Sequence, residues 1–311
     1  MRERTPLPVP LWSPSASPDG KVSRATGGRV RVLTGDDTRA LHKLLDADPV
    51  GNTSVAAALQ QRGTAAVGKG RQSALLLGID AAEPHSGADR RLISACWLGS
   101  NIIPVGADPT TAKQFGRAAR ALRRRVSSIY GRSEAVLALF EATGWSNHRE
   151  VRAHQPLMVM YQEPEMRPLP GVRPSKPEEF SAVEQACAAM FTEELGFSPY
   201  DHGASQYRDR IRGLIQAGHS LIAVDPESRQ ITFKAEFGSV TEQAVQVQGV
   251  WVNPLWRGRG MAAPGMAAVV NYGLRLAPRV SLYVNGYNTP AIRAYERVGF
   301  QHAGAYSTVL F

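Results

Sequence analysis

One stretch of sequence occurs twice along the chain, and this repeat is the strongest constraint on its fold. Residues 140–145 (FEATGW) correspond to residues 295–300 (YERVGF), which lie 155 positions later. Each stretch closes a predicted helix that follows a predicted strand, at residues 127–130 in the front half and 280–284 in the rear half. Internal similarity of this kind predicts two copies of one structural unit. A chance match between two helices that end before a Gly-aromatic pair is the alternative explanation.

Strands and helices alternate in both halves, which predicts a mixed α/β fold with insertions in the two copies. Residues 1–28 mix Arg, Pro, Ser and Gly and are predicted to form a disordered arm. Residues 162–177 contain five prolines, which are incompatible with a helix or a central strand. This stretch is therefore predicted to link a front domain at residues 29–161 to a rear domain at residues 172–311.

The composition excludes several classes of protein. Hydrophobic residues make up 43% of the 311 residues and charged residues 20%, which is typical of a globular protein. Cys96 and Cys187 have no Cys or His at metal-ligand spacing beside them, so neither a disulfide framework nor a metal site is expected. No apolar run approaches the roughly 20 residues of a membrane span, and the first 27 residues lack the apolar core of a secretory signal. We therefore expect a cytoplasmic protein with no membrane partner.

Charge is distributed unevenly along the chain, whose net charge is +9. Residues 101–132 contain seven basic residues and one acidic residue, whereas residues 151–250 contain nine basic and thirteen acidic residues. Such asymmetry indicates surfaces that meet ligands of opposite charge. A nucleic-acid partner is not favoured, because no zinc-finger, homeodomain or aromatic-platform signature accompanies the basic charge.

The most informative segment is a predicted strand at residues 244–252 that leads through a glycine-rich turn into a predicted helix at residues 260–276. Unpaired N–H groups at a helix start, together with the positive end of the helix dipole, bind anions such as phosphate. A dinucleotide-binding fold is rejected, because it requires an acidic residue about 20 positions further on. Residues 251–295 contain no acidic residue. A glycine-rich turn with an incidental Arg pair is the remaining alternative.

The same segment resembles a known signature. The run Arg257-Gly258-Arg259-Gly260-Met261-Ala262 is similar to the R-x-x-G-x-A motif of the GNAT superfamily, the acetyl-CoA-dependent N-acetyltransferases. A second block of that family, in the same order and spacing, is matched by Asn288, Ala291, Tyr295, Gly299 and Phe300. The resemblance covers residues 172–311. The whole chain is similar to two-domain actinobacterial members whose front half is a degenerate copy.

The resemblance implies tandem domains, each a mixed, mostly antiparallel twisted sheet flanked by helices. It implies an acyltransferase that moves the acetyl group of acetyl-CoA to a primary amine, either a small cationic amine or a lysine or N-terminal amine of a protein. In the family, the loop holds the pyrophosphate of coenzyme A, and the preceding strand pairs with the pantetheine arm. The implied cofactor-binding residues are Val250, Trp251, Val252, Arg257, Gly258, Arg259, Gly260, Met261, Ala262, Asn288 and Ala291.

The same resemblance suggests catalytic and acceptor residues. Tyr295 occupies the family position that protonates the departing sulfur, and a phenol with a pKa near ~10 is protonated at neutral pH. Glu236, on a strand predicted beside the cofactor strand, is the first candidate for the general base, with a water chain as the alternative. Glu193, Glu194 and Tyr200 are expected to shape the acceptor site in the loop between the first two helices of the rear domain. A solvent-exposed or capping role is the alternative for each acid.

The front copy lacks two of these features. Phe140 stands where the rear copy has Tyr295, and residues 107–112 (ADPTTA) replace the Arg-Gly run. We therefore expect a front domain that does not bind acetyl-CoA productively, and that walls the acceptor cleft or stands in for the second subunit of a dimer. The protein itself is expected to be a monomer or a homodimer. Two other functions stay open: a non-catalytic acyl-CoA-binding regulator, and a module that binds RNA or acidic proteins through the basic helix at residues 117–125.

Overall fold

The computed structural model describes residues 17–68, 73–81, 91–201 and 203–311. They form two compact units. The first unit comprises the residues up to Gln155 together with Ala305–Phe311, and the second comprises Pro156–Gly304. Within the described residues, no helix combines the length and the apolar character that a membrane span requires.

The first unit follows an alternating order of strands and helices. Its elements are α1 (Pro18–Thr26), β1 (Arg31–Val32), α2 (Thr38–Asp46), α3 (Thr53–Arg62), β2 (Leu75–Asp80), β3 (Leu92–Leu98), β4 (Asn101–Val105), α4 (Pro109–Leu122), β5 (Ser128–Arg132), α5 (Ser133–Thr143) and the start of β6 (Glu150–Met160).

The order of elements that begins at β1 in the first unit recurs in the second unit. Its elements are the end of β6, then β7 (Arg173–Pro174), α6 (Phe180–Leu195), α7 (Ala204–Gln216), β8 (Ser220–Val224), β9 (Ile231–Val240), β10 (Val245–Val252), α8 (Ala262–Leu274), β11 (Val280–Tyr283), α9 (Thr289–Val298) and the start of β12 (Gln301–Leu310).

Strand pairing is also the same in the two units. Strands β1 to β4 pair in sequence order and antiparallel, and β4 then pairs in parallel with β5. Strands β7 to β10 pair antiparallel in the same way, and β10 pairs in parallel with β11. The predicted mixed α/β class with mostly antiparallel sheets is confirmed.

The last strand of each repeat pairs with a strand of the other unit. In the second unit, residues 157–160 of β6 pair antiparallel with β11. In the first unit, residues 306–310 of β12 pair antiparallel with β5. The chain therefore passes between the units at Gln155/Pro156 and at Gly304/Ala305. This division differs from the predicted boundaries, because strand pairing joins segments that are remote in sequence.

A repeated ion pair accompanies the repeated topology. The Arg31 guanidinium donates to both carboxylate oxygens of Asp37 at 2.8 Å. Arg173 donates to both oxygens of Glu179 at 2.8 and 2.6 Å, 142 positions further along the chain. These hydrogen bonds lower the pKa of Asp37 and of Glu179 to about 2 in each case. In both units the pair ties the first strand to the short 3₁₀ turn before the next helix.

Two sequence-based predictions for the connecting segments need revision. The arm predicted at residues 1–28 is wrong for Pro18–Thr26, which forms α1; residues 1–16 lie outside the described residues. Ser17 caps this helix by accepting a hydrogen bond from the Gly20 N–H, and Val22 packs into the core of the first unit.

The predicted proline-rich linker is held against the second unit, where the Leu169 N–H donates to the Pro264 carbonyl at 2.8 Å.

The second unit buries apolar side chains on both faces of its sheet. Leu221 of β8 packs among the residues of α8 and α9, whereas the adjacent Ile222 packs with α6 and α7, as the two-residue alternation of a strand requires. Helix α8 lies so close to the sheet that a Cβ built on Gly265 would come within 2.6 Å of the Phe233 ring. Phe233 is fully buried, so it has no room to move away.

We expect Gly265→Ala to lower the free energy of unfolding by about 1–3 kcal/mol, because the added methyl group overpacks the core. Gly213 of α7 is a matched control, since a Cβ built there meets no atom within 4 Å. Gly213→Ala is expected to raise the free energy of unfolding by about 0.5–1 kcal/mol through helix propensity. Urea denaturation of both variants measures this difference, and equal effects would contradict the close approach of α8.

Candidate active site

The candidate site begins where two parallel strands separate. Strand β10 pairs with β11 only at Val245 and Gln246, although β10 continues to Val252. Beyond Gln246, the edge of β10 on the side of β11 is therefore not paired with β11. Val250, Trp251 and Val252, three of the predicted cofactor-binding residues, lie on this separated part of β10.

A β-bulge lies at the same part of β10. Gln248 is paired with Glu236 and Trp251 with Lys234, so two residues of β10, Gly249 and Val250, lie opposite one residue of β9. Gly249 has a φ of 60°, in the left-handed region that favours glycine. A bulge bends its strand and leaves an extra residue outside the regular ladder.

The loop after β10 leaves N–H groups unpaired at a helix start. Gly258 and Gly260 have φ values of 75° and 73°, and a Cβ built at either position would meet no atom within 4 Å. Helix α8 has no side-chain cap at Met261. Among the described residues, the main-chain N–H groups of residues 258–261 have no hydrogen-bond partner. This open, uncapped helix start fits a phosphate or diphosphate group.

Tyr295 lies on α9 and has 7% of its surface exposed. Its ring contacts Phe300 edge-on, with 5.9 Å between the centroids. Among the described residues, no group forms a hydrogen bond with its hydroxyl, which is also not one of the fully enclosed unpaired polar atoms. Burial, and to a smaller extent the charge of Glu194, raise the pKa of Tyr295, so the phenol is protonated at neutral pH.

Asn288 fixes the start of the helix that carries Tyr295. Its side-chain oxygen accepts a hydrogen bond from the Ala291 N–H at 3.2 Å, and Pro290 occupies the first turn. The two predicted residues Asn288 and Ala291 are therefore joined in one helix cap.

Glu236 is buried in a polar network that the sequence analysis missed. Only 2% of its surface is exposed, and its Oε1 lies 2.9 Å from the Lys234 Nζ. The Cys187 thiol donates to the same oxygen at 3.1 Å. Arg210 and Gln248 donate to Oε2 at 3.2 and 3.4 Å. Lys234 and Glu236 are the two charged residues of β9. Their spacing was the sequence signal for this network, because residues two apart share one face of a strand.

This network weakens Glu236 as a proton acceptor. Burial alone would raise its pKa, but the Lys234 and Arg210 cations lower the pKa to about 2. The carboxylate is therefore ionised at neutral pH and holds a proton poorly, whereas an efficient general base has a pKa near the operating pH.

Arg257 and Glu193 interact with each other. Two guanidinium nitrogens of Arg257 donate to the two carboxylate oxygens of Glu193, both at 2.7 Å, and a third donates to the Val252 carbonyl at 3.0 Å. This pairing differs from the prediction, in which Arg257 binds the cofactor and Glu193 the acceptor. The position predicted for Glu193 and Glu194 is also wrong: they lie in the last turn of α6 rather than in the following loop.

Comparisons with known proteins identify two related domains. Residues 198–300 match the acetyltransferase (GNAT) family, and residues 84–183 match a domain of unknown function, DUF4081. Residues 198–300 form a GNAT acetyltransferase domain. The chain therefore carries an acyltransferase domain, as predicted. No curated protein matches the chain.

Solved structures of GNAT proteins share the fold over most of their length. An acetyltransferase from Colwellia psychrerythraea has a TM-score of 0.55 and 11% identity, with 91% of this chain and 99% of that chain covered. A GCN5-related N-acetyltransferase from Sphaerobacter thermophilus has a TM-score of 0.54 and 19% identity, covering 90% and 94%. A tandem GNAT protein from the clavulanic acid biosynthesis pathway has a TM-score of 0.51 and 12% identity, covering 90% and 97%. The tandem GNAT-like fold is thereby confirmed.

In the first unit, the start of α4 corresponds to the start of α8, and it is capped by a side chain. The Asp108 carboxylate accepts hydrogen bonds from the Thr111 N–H and hydroxyl, both at 2.7 Å. The hydrogen bond from the Thr111 N–H is the largest cause of a lowered pKa for Asp108. An anion of the protein thus occupies the place at the start of α4 that is open at the start of α8.

Tyr200 lies between α6 and α7 with 37% of its surface exposed. Its ring meets Tyr207 edge-on at 5.8 Å, and the Arg208 guanidinium lies 5.6 Å from the Tyr200 centroid. Glu194, at the end of α6, is exposed and close enough to affect the pKa of Tyr295. The α6–α7 segment therefore presents aromatic and acidic side chains.

Glu236→Gln is expected to lower the free energy of unfolding at neutral pH by roughly 3–5 kcal/mol, because Lys234 then remains buried without its counter-charge. The pKa of Glu236 falls from the ordinary 4.5 to about 2 on folding, so its contribution is complete above about pH 4.5. It is lost as the pH falls through about 2.

Urea denaturation at several pH values should show the difference between wild type and variant shrinking below about pH 4.5. The exposed Glu163→Gln is the control, for which little change is expected at any pH. A pH-independent difference for Glu236→Gln would contradict the assigned ion pair.

Proposed function

We propose that the protein is an N-acetyltransferase that moves the acetyl group of acetyl-CoA to a primary amine. The acceptor is a small cationic amine or the lysine or N-terminal amine of a protein. The observation that carries this proposal is the open, uncapped start of α8 at the end of a strand that separates from its parallel neighbour. A diphosphate group and an amide-bearing arm are the chemical features that such a site accommodates.

In this proposal, the loop from Arg257 to Ala262 holds the pyrophosphate of coenzyme A through main-chain N–H groups. Arg259 adds positive charge, whereas Arg257 supports the loop through its bonds to Glu193 and the Val252 carbonyl. The free edge of β10 at Val250, Trp251 and Val252 pairs with the amides of the pantetheine arm. Asn288 and Ala291 border the same ligand from the start of α9.

The proposed reaction is a direct attack of the amine on the thioester. The amine nitrogen forms a bond to the acetyl carbonyl carbon, and the carbonyl oxygen becomes negatively charged in a tetrahedral intermediate. A main-chain N–H at the β10 bulge stabilises this charge. The intermediate collapses by breaking the C–S bond, and the electron pair leaves with the sulfur. The Tyr295 hydroxyl donates its proton to that sulfur. The nitrogen, which is cationic after the attack, loses a proton that returns to the Tyr295 phenolate through water, and the neutral amide is released.

The amine must lose a proton before it attacks. We assign this step to a water chain, because the pKa of Glu236 is about 2 and its carboxylate already accepts four hydrogen bonds or ion pairs. Glu194 and Tyr200 are proposed to attract and orient the cationic acceptor. Glu193 contributes indirectly through its pair with Arg257.

Gly260→Ala is expected to weaken acetyl-CoA binding at least tenfold, because an alanine resists the left-handed backbone that opens the loop. Gly218 is a matched control, with a φ of 70° and open space around its Cβ position, outside the proposed site. Calorimetric titration with acetyl-CoA should show normal affinity for Gly218→Ala. No binding by the wild-type protein would overturn the proposed function.

Tyr295→Phe is expected to lower kcat by roughly 10²–10⁴-fold with little change in acetyl-CoA affinity, because it removes only the proton donor. Release of the coenzyme A thiol, measured over a panel of amines and peptides, gives the rate. Tyr161→Phe is the control, since Tyr161 is 58% exposed. Acetyl-CoA binding without turnover of any amine by the wild type would favour the non-catalytic regulator instead.

A further inference from the structure

A fully buried lysine contacts the main chain at the bulge. Lys234 has 0% of its surface exposed, and its Nζ donates a hydrogen bond to the Gly249 carbonyl at 2.9 Å. The same ammonium lies 2.9 Å from the Glu236 carboxylate and 3.7 Å from the Met190 sulfur of α6. Lys234 therefore approaches the Gly249 carbonyl from the face of the sheet covered by α6.

The geometry of a peptide group determines where the other end of this bond points. The Gly249 carbonyl and the Val250 N–H belong to one peptide unit, and no peptide bond in the described part of the chain is cis. In a planar trans unit, the C=O and N–H bonds point in opposite directions. The Val250 N–H therefore points away from Lys234.

The charge of Lys234 also changes the strength of that N–H donor. A cation bonded to a carbonyl oxygen draws electron density through the peptide unit and makes its N–H a stronger donor, as in cooperative hydrogen-bond chains. The effect is large where the dielectric constant is low, and both Lys234 and Glu236 are buried. One charged side chain can thus act on a ligand that it does not touch.

We propose that Lys234 is a positioning residue, which holds the Gly249–Val250 peptide so that a polarised Val250 N–H donates to the thioester carbonyl of acetyl-CoA. This inference rests on the proposed function. It assigns Glu236 a supporting role, as the counter-charge that keeps the Lys234 ammonium in a buried position.

The requirement for glycine at the bulge agrees with this role. A Cβ built on Gly249 would lie 3.1 Å from the Lys234 Nζ and 3.2 Å from a Glu236 oxygen. The left-handed backbone and the tight contact with both charged groups thus occur at the same residue. A side chain at this position would strain the backbone and press against the Lys234–Glu236 ion pair.

The test compares wild type with Lys234→Met/Glu236→Gln, which removes both buried charges and retains similar side-chain volumes. Difference infrared spectroscopy of bound acetyl-CoA, isotopically labelled at the acetyl carbonyl, reports the hydrogen bond to that oxygen without an acceptor amine. We expect a shift of the carbonyl band to lower frequency in wild type and its loss in the double variant. The dissociation constant for acetyl-CoA should change by less than about threefold, since the loop at α8 is untouched.

Arg210→Gln is the matched control, because it removes a cation 3.2 Å from Glu236 and leaves the bond between Lys234 and Gly249 in place. We expect the shifted band to remain in this variant. Circular dichroism shows whether the double variant folds. If it does not, Lys234→Arg, which retains a donor and the charge, is used instead. We expect a partial shift of the carbonyl band in that variant.

The possible outcomes separate the two proposals. Wild-type protein that binds acetyl-CoA with the same carbonyl band as a folded Lys234 variant would overturn the role of Lys234 and leave the acetyltransferase proposal standing. An equal loss of the shift in Arg210→Gln would also overturn it. The shift would then come from the summed electric field of the nearby charges, and not from the hydrogen bond between Lys234 and Gly249. Absence of acetyl-CoA binding by wild type would overturn both proposals.

Discussion

The candidate site depends on the early separation of β10 from β11. Only two residues of each strand are paired, and the bulge at Gly249 bends β10 beyond that point. A continuous parallel pair would use the N–H and C=O groups of both strands for each other and leave none for a ligand. The separation instead frees one edge of β10 beside the uncapped start of α8 and near the helix that carries Tyr295. The proposed acetyl-CoA site thus takes its hydrogen-bonding groups from backbone that the sheet does not use.

The two halves share this backbone frame but differ at the positions that the proposed acetyl-CoA site uses. In the first unit, β4 and β5 also pair at only two positions, so the same separation is present. Its β3–β4 pairing runs without a shift in register, however, and Asp108 fills the anion position at the start of α4. Phe140 also lacks the hydroxyl of Tyr295. The repeat therefore conserves the backbone arrangement while the chemistry differs at a few side chains and one bulge.

Local patterns in the sequence predicted most elements of the second unit. The strands predicted at residues 244–252 and 280–284 and the helix predicted at residues 260–276 agree with β10, β11 and α8 within two positions, since each has clear apolar periodicity and turn residues at its ends. In the first unit, α1, α3 and β4 were missed. Helix α1 begins in a segment rich in Pro, Gly and Ser, and β4 contains Pro104, so local composition concealed the elements that tertiary packing stabilises.

The sequence by itself determined the repeat, the mixed α/β class, the glycine-rich loop and the positions of Tyr295 and Asn288, because each depends on residue type and short-range spacing. The tertiary structure decided the exchange of β6 and β12, the pairing of Arg257 with Glu193 and the burial of Glu236 beside Lys234. These features join residues that are remote along the chain, and the pKa of Glu236 falls below its ordinary value because folding places cations around it. Spacing can therefore identify a candidate residue, but the partners that set its pKa and direct its hydrogen bonds are brought together only by folding.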